Sequence, residues 1–276
     1  MRTIQILPAA LLAAFLFCTT ALTAQTLVSG IFQQTDAKLE YVEGADWNTF
    51  LAKNKEFNNK GFRLTDIETA GLGQERSYWG IYTKSSERDT IAKTLGWSDF
   101  VQLKRKMADR NFVLTDVTGY ALNETDFIYI GVWQPGETAH KIWKLDSRDG
   151  LMQRTDEMFR EKFVLQGVKV ISTPSGQAQF LAIYHFQPIP QRNVVFITDS
   201  EQIFNEDWAQ RVNSKVRLID YDRFQEAGTP YYLGVYQAGS YEHLVLRETP
   251  RPAFEDQWDR LESKEKLRLV NWWVSN

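Results

Sequence analysis

Tyr231-Tyr232-Leu233-Gly234-Val235-Tyr236 (YYLGVY) is the run on which the chain turns, because it returns four times. The other copies are VSGIF (Val28 to Phe32), YWGIY (Tyr78 to Tyr82), YIGVW (Tyr129 to Trp133) and FLAIY (Phe180 to Tyr184). Aligned on the small residue they sit at Gly30, Gly80, Gly131, Ala182 and Gly234, with steps of 50, 51, 51 and 52 residues. A fixed period of that size identifies a tandem-repeat architecture. With side chains alternating, the outer aromatics and the small residue share one face, while Trp79 and Ile81 take the other. Both faces are apolar, as in a strand covered on each side. The small residue marks a place where a neighbour, expected to be another backbone, comes close.

Outward from each copy the same order recurs. Asp46 is placed as an N-cap, and Trp47, Phe50, Leu51 and Phe57 fall on one helical face. Gly61 ends that helix, and Phe62 to Ile67 (FRLTDI) is a strand leading into YWGIY. Trp97, Phe100, Val101 and Met107 then mark a helix before FVLTDV (Phe112 to Val117), and HKIWKL (His140 to Leu145) reads as the third strand of that unit. The third unit diverges, with Met158, Phe159 and Phe163 on a shorter helix before VKVI (Val168 to Ile171). Phe204, Trp208 and Val212 precede VRLID (Val216 to Asp220), and Phe254, Trp258 and Leu261 precede LRLV (Leu267 to Val270). KLEYV (Lys38 to Val42) reads as a strand beside Val28 to Phe32.

The two ends complement each other. The last unit has a helix and a first strand only, and the start supplies later strands without a helix. The expected fold is α/β: a closed, pseudo-fivefold, α/β-propeller-like ring of helix-β-β-β units, the last completed by both termini so that no sheet edge stays unpaired.

Composition narrows the function. Apolar residues make up 43% and charged residues 24% of 276 residues, as in an ordinary globular protein. A formal net charge of -3 argues against nucleic acid or an anionic membrane as partner. Arg2, the apolar run Leu7 to Phe17 and the small residues before Gln25 read as a secretory signal, 1–24, with one repeat-ring domain over 25–276. The signal's apolar core is too short to leave a transmembrane segment. Cleavage would remove Cys18, the single cysteine, leaving no thiol for a disulfide, a nucleophile or a metal site. The expected location is extracytoplasmic, periplasmic or secreted, and the expected state a monomer.

Helical Trp or Phe, an R-L-T-D-like strand and a G-I-Y or G-V-W strand together resemble the bacterial tandem repeat domain family, best at FRLTDI with YWGIY and FVLTDV with YIGVW. The third unit departs from the pattern at Ile171-Ser172. That resemblance implies a Trp-rich, extracytoplasmic repeat domain, in some members attached to serine hydrolase domains, and no established reaction for the repeats themselves.

Chemistry is sparse in the sequence. His140, His185 and His243 occupy unrelated places in three units, and no H-E-x-x-H, P-loop, dinucleotide or G-x-S-x-G signature occurs. No catalytic residue, metal site or cofactor is expected. One polar position does recur near the end of strand one: Asp66, Asp116, Ser172, Asp220 and Asn271. It reads in two ways, as a ring of oxygens holding a polar ligand or as side chains bonding their own following turns. The second is the better fit to a feature repeated in every unit. Arg63, Lys169, Arg217 and Arg268 are expected on a solvated strand face. Asn123-Glu124-Thr125 is a formal glycosylation sequon read as a surface loop. The functional expectation is an exported, non-catalytic, Trp-rich binding module whose ring face takes a protein partner or a polar ligand such as a glycan. The alternatives are a carbohydrate-active hydrolase with paired carboxylates and a purely structural envelope protein.

Overall fold

The computed structural model describes residues 26–71 and 76–275; the signal segment and Gly73 lie outside them. Among the described residues five α-helices and fifteen strands alternate in a fixed rhythm. The strands are β1 (Leu27–Gln34), β2 (Leu39–Ala45), β3 (Phe62–Ala70), β4 (Ser77–Lys84), β5 (Thr90–Leu95), β6 (Phe112–Ala121), β7 (Phe127–Pro135) and β8 (His140–Leu145). They continue as β9 (Phe163–Ser172), β10 (Ala178–Phe186), β11 (Val194–Thr198), β12 (Val216–Glu226), β13 (Thr229–Ala238), β14 (His243–Pro250) and β15 (Leu267–Ser275). The helices are α1 (Trp47–Asn59), α2 (Trp97–Ala108), α3 (Arg148–Arg160), α4 (Glu201–Asn213) and α5 (Arg251–Arg260), the last running into a π-helical turn, Leu261–Glu265. Among the described residues no helix is long and apolar enough to cross a membrane.

Each sheet is antiparallel and three-stranded, with orders β2-β4-β3, β5-β7-β6, β8-β10-β9, β11-β13-β12 and β14-β1-β15. The recurring run is always the central strand. Two expectations about pairing fail. KLEYV does not lie beside β1; as β2 it pairs with β4, Tyr41 opposite Ile81. HKIWKL likewise serves the next sheet, with Ile142 opposite Ile183 of β10. The outer strand therefore precedes its helix, and each sheet reads outer strand, helix, inner strand, central strand. Both edges of β1 are already taken, by β14 and β15, so β2 must pair elsewhere.

The helices start and stop by local rules. Asp46 caps α1 by accepting from the backbone N–H of Asn48 at 2.9 Å and Thr49 at 3.1 Å. After each helix one residue adopts a left-handed conformation before the inner strand: Gly61, Asn111, Lys162, Lys215 and Lys266, with φ between 58° and 76°. Only Gly61 takes that conformation without side-chain strain. Leu51, expected on the buried face, is exposed, and Phe163 belongs to β9 rather than α3.

The small residue of the central strand faces side chains, not backbone. A Cβ on Gly80 would lie 2.8 Å from Leu64 and 2.9 Å from Phe50; on Gly30 it would meet Leu269 and Phe254. The fourth residue of each helix is Phe50, Phe100, Leu151, Phe204 or Phe254, all buried. Leu151 is the exception, and its sheet carries Ala182 where the others carry glycine; both sit in one core cluster. The smaller helical residue leaves room for one methyl. Leu151→Phe alone is expected to cost about 1–3 kcal/mol by overpacking, and Ala182→Gly alone about 1 kcal/mol. Combined, they should cost less than their sum by roughly 1 kcal/mol in denaturant unfolding. Strict additivity would show that the two positions do not share space.

The opposite face of each central strand packs on the preceding unit. Ile130 and Val132 join the cluster of Phe50 and Tyr82; Leu181 and Ile183 join that of Phe100. Leu233 and Val235 join that of Leu151, Ile31 joins that of Phe204, and Trp79 and Ile81 join that of Phe254. Trp79 and Trp272 meet edge to face at 5.4 Å. This is why both faces of the recurring run are apolar.

Candidate functional site

The polar position is placed by a β-bulge. In every sheet the pairing of inner and central strands slips by one residue, at Thr65, Thr115, Gln166, Ile219 and Val270. Without that insertion Asp66, two residues after Leu64, would share its face beneath α1. The bulge turns it to the other face, opposite Ile81. The same registration puts Asp116 opposite Val132, Asp220 opposite Val235 and Asn271 opposite Ile31. In the third sheet the residue so placed is Gly167, opposite Ile183. Ser172 is not a member; it ends β9, exposed, opposite Ala178.

The inner strands touch in the order β3, β6, β9, β12, β15 and back to β3, and the polar side chains join them. Asp116 accepts from the Ile67 N–H at 2.7 Å, Asp220 from the Val168 N–H at 2.7 Å and Asp66 from the Trp272 N–H at 3.2 Å. Each donor is the residue following the polar position of the neighbouring unit. The carboxylates therefore bond across units, not into their own turns as expected; Asp116 and Asp220 add a second bond to their own following N–H. Asn271 Nδ2 donates to Asp66 at 3.3 Å and to Asp220 at 3.2 Å. A Cβ on Gly167 would lie 3.0 Å from Asp220 Oδ2, so the glycine makes room for this carboxylate.

Lys169, two residues on in β9, joins the same cluster. It is buried, not on a solvated face as expected; its Nζ donates to Asp66 at 3.2 Å and to Glu68, and lies 3.9 Å from Asp220. Asp222, two residues after Asp220, accepts from the Val170 N–H at 2.8 Å, repeating the cross-unit bond one step along. Burial raises every one of these carboxylates: Asp66 and Asp220 above their usual range, Glu68 well above it, Asp222 to about 7 and the half-buried Asp116 to about 8. Burial works against the charge on Lys169, but Asp66, Glu68 and Asp220 outweigh it and hold the ammonium firmly protonated. The cluster is a hydrogen-bonded, desolvated electrostatic core. Among the described residues no group of His, Cys, Asp and Glu has the arrangement to hold a metal ion.

The other basic residues of that pattern differ. Arg217 is buried and donates to the Tyr241 and Val212 carbonyls, while Arg63 and Arg268 pair with Glu87 and Glu262 near the surface. His140 and His185 face each other across β8 and β10 with ring centroids 6.2 Å apart, while His243 lies in another sheet. His185 Nε2 is bonded to the Leu114 carbonyl oxygen at 2.8 Å, and His243 Nε2 accepts from Trp208 at 3.2 Å. Burial lowers all three, His140 and His243 to about 4. Asn123 lies in an exposed turn, where its Oδ1 accepts from the Thr125 and Asp126 N–H groups.

The inward turn of Lys169 and the bulges are not legible in the sequence. The only signal was the run of acids two residues apart, Asp66 with Glu68 and Asp220 with Asp222, which marks two successive inward positions on one strand.

Five sheet-and-helix units packed face to back, with polar residues spent on joining them, define a tandem-repeat domain. Residues 40–85 and 95–136 match the family described as polyglycine hydrolase-like, structural repeat, which is a likeness of these two stretches. No curated protein matches the chain.

Proposed function

We propose that the chain is an exported, non-catalytic binding domain whose five units close into a pseudo-fivefold, α/β-propeller-like ring, with a partner protein or polar ligand held at one ring face. The observation that carries this reading is the cross-unit bonding of Asp66, Asp116 and Asp220, which commits their oxygens to backbone N–H groups and to Lys169. A carboxylate acting on a substrate needs a free oxygen at a surface. Closure is supported by the return of the fifth core to Trp79 and Ile81 of the first sheet and by β1 completing the sheet of β14 and β15. Loops at the ends of such a scaffold are the natural place for recognition.

The second reading is hydrolysis, favoured by the name of the matching family, though that name describes a structural repeat. A screen of residues 25–276 against glycans and glycine-rich peptides separates the two. Saturable binding without product is the expected result. Asp116→Ala should cost about 1–3 kcal/mol by stranding the Ile67 N–H, with no divalent-cation effect on the melting of either protein and ligand binding retained. Product formation by the parent, lost in Asp116→Asn, would establish the hydrolase instead.

A further inference from the structure

Three inner strands, β3, β6 and β9, end around a cavity of about 540 Å³. Its walls include Arg76, Tyr120, Ser172 and Thr173, with Gly119 in β6. Arg76 stacks on the Tyr120 ring, its guanidinium carbon 3.7 Å from the ring centroid. The Tyr120 hydroxyl is held by Tyr78 at 3.2 Å, which fixes the ring beneath the cation. Arg76 Nε is buried and has no hydrogen-bond partner, and among the described residues no carboxylate pairs with the guanidinium. Burial works against this charge, and the groups that offset that are the adjoining Tyr120 and Tyr78.

A half-buried arginine whose Nε is buried, with no anion beside it among the described residues, is costly to keep. A planar guanidinium stacked on an aromatic ring is also fixed in direction, and its fork matches a carboxylate. Gly119 keeps the wall thin, since a Cβ there would lie 2.5 Å from the Ile128 carbonyl oxygen and 2.8 Å from Ile171. Ser172, exposed at the end of β9, puts a hydroxyl on the rim, and the apolar Ala121 and Pro174 complete a surface for a carbon skeleton. The charge balance favours a monoanion. Arg76 is a single cation, and the polar cluster that joins the inner strands holds five carboxylates, Asp66, Glu68, Asp116, Asp220 and Asp222, around Lys169. A phosphate dianion would bring an uncompensated charge towards that core.

We propose that this cavity is a carboxylate-binding site in which Arg76, stacked on Tyr120, pairs with the carboxylate of a small organic acid or of a chain end, and the rim receives the adjoining skeleton. The proposal rests on the reading of the chain as a binding domain and gives it a place and a ligand chemistry.

The test titrates residues 25–276 with N-acetylalanine and N-acetylphenylalanine, their carboxamides and inorganic phosphate, followed by amide chemical shifts. Saturable shifts around Tyr120 and Ser172 are expected with the two carboxylates and not with the carboxamides. Arg76→Met should weaken binding about ten- to a hundredfold, the loss of one charge-assisted contact, while folding about as stably as the parent because a half-buried charge without an anion is replaced by an apolar stem. Ser172→Leu, which leaves Arg76 in place and fills the rim, should also weaken it. Absence of saturable shifts with either carboxylate, equal response to the carboxamides, or a preference for phosphate would each overturn the assignment. Carboxylate binding unaffected by Arg76→Met would overturn this site yet leave the binding-domain reading standing, whereas hydrolysis in the glycan and peptide screen would remove that reading whatever the titration shows.

Discussion

Deleting Lys266 to Asn276 is expected to abolish cooperative unfolding. β15 is the inner strand of the sheet whose centre is β1, and it pairs with β1 from Leu27 to Gln34. Its loss takes Leu267, Leu269, Trp272 and Val274 out of the cluster that also holds Trp79 and Ile81. At about 1.5–3 kcal/mol for each large buried side chain, that loss alone is comparable with the roughly 5–15 kcal/mol that keeps a domain folded. Asp66 would also lose the Trp272 N–H and the Asn271 amide, and β1 would present a bare hydrogen-bonding edge. The expected protein melts broadly, binds a hydrophobic dye and aggregates. A sharp thermal transition within a few degrees of the parent's would sink the closed-ring proposal, because an open row of units tolerates the loss of one end.

Lys169→Met is expected to destabilise the protein by about 3–5 kcal/mol at pH 8, as when one partner of a buried ion network is removed. The effect should shrink on acidification, and its direction follows from the carboxylates. Asp116 at about 8 and Asp222 at about 7 bind protons more tightly in the folded chain than in the unfolded one, where such groups titrate near 4. Over that interval the folded state holds more protons, so stability falls as pH rises and recovers as pH falls. The histidines act oppositely: lowered when folded, His140, His185 and His243 withdraw stability as pH drops below about 6.5. The parent should therefore be most stable near pH ~6 and lose stability towards pH 8. Lys169→Met should steepen that alkaline decline, because the carboxylates lose the cation bonded to Asp66 and Glu68. Chemical unfolding across pH 5 to 9 measures both slopes. A penalty independent of pH would show that Lys169 acts through the packing of its stem and not through its charge.

Much of the architecture was legible because it is local and repeated. Central strands declare themselves by the alternation of YWGIY and YYLGVY, and helices by Asp46 and the spacing of Trp47, Phe50 and Phe57. The coupling of Leu151 with Ala182 was also within reach, since each is the odd member of an otherwise uniform set. Which outer strand joins which sheet was not legible. KLEYV has the pattern of a strand wherever it lies, and only the occupation of both edges of β1 sends it to β4. The candidate site divides in the same way. Asp66, Asp116, Asp220 and Asn271 could be chosen as one recurring position because short-range spacing carries them. Their equivalent in the third unit could not, because Gly167 has no polar side chain and Ser172, at the strand end, offers a polar residue in its stead. The pairing of Gly167 with Ile183 decides that position. The lysine two residues on then turns inward to Asp66, 103 residues away in the chain. Strand period and helix spacing are properties of neighbouring residues and are fixed by the sequence itself. Sheet partners, bulge-directed side chains and the burial of Lys169 depend on distant segments, and tertiary packing alone sets them.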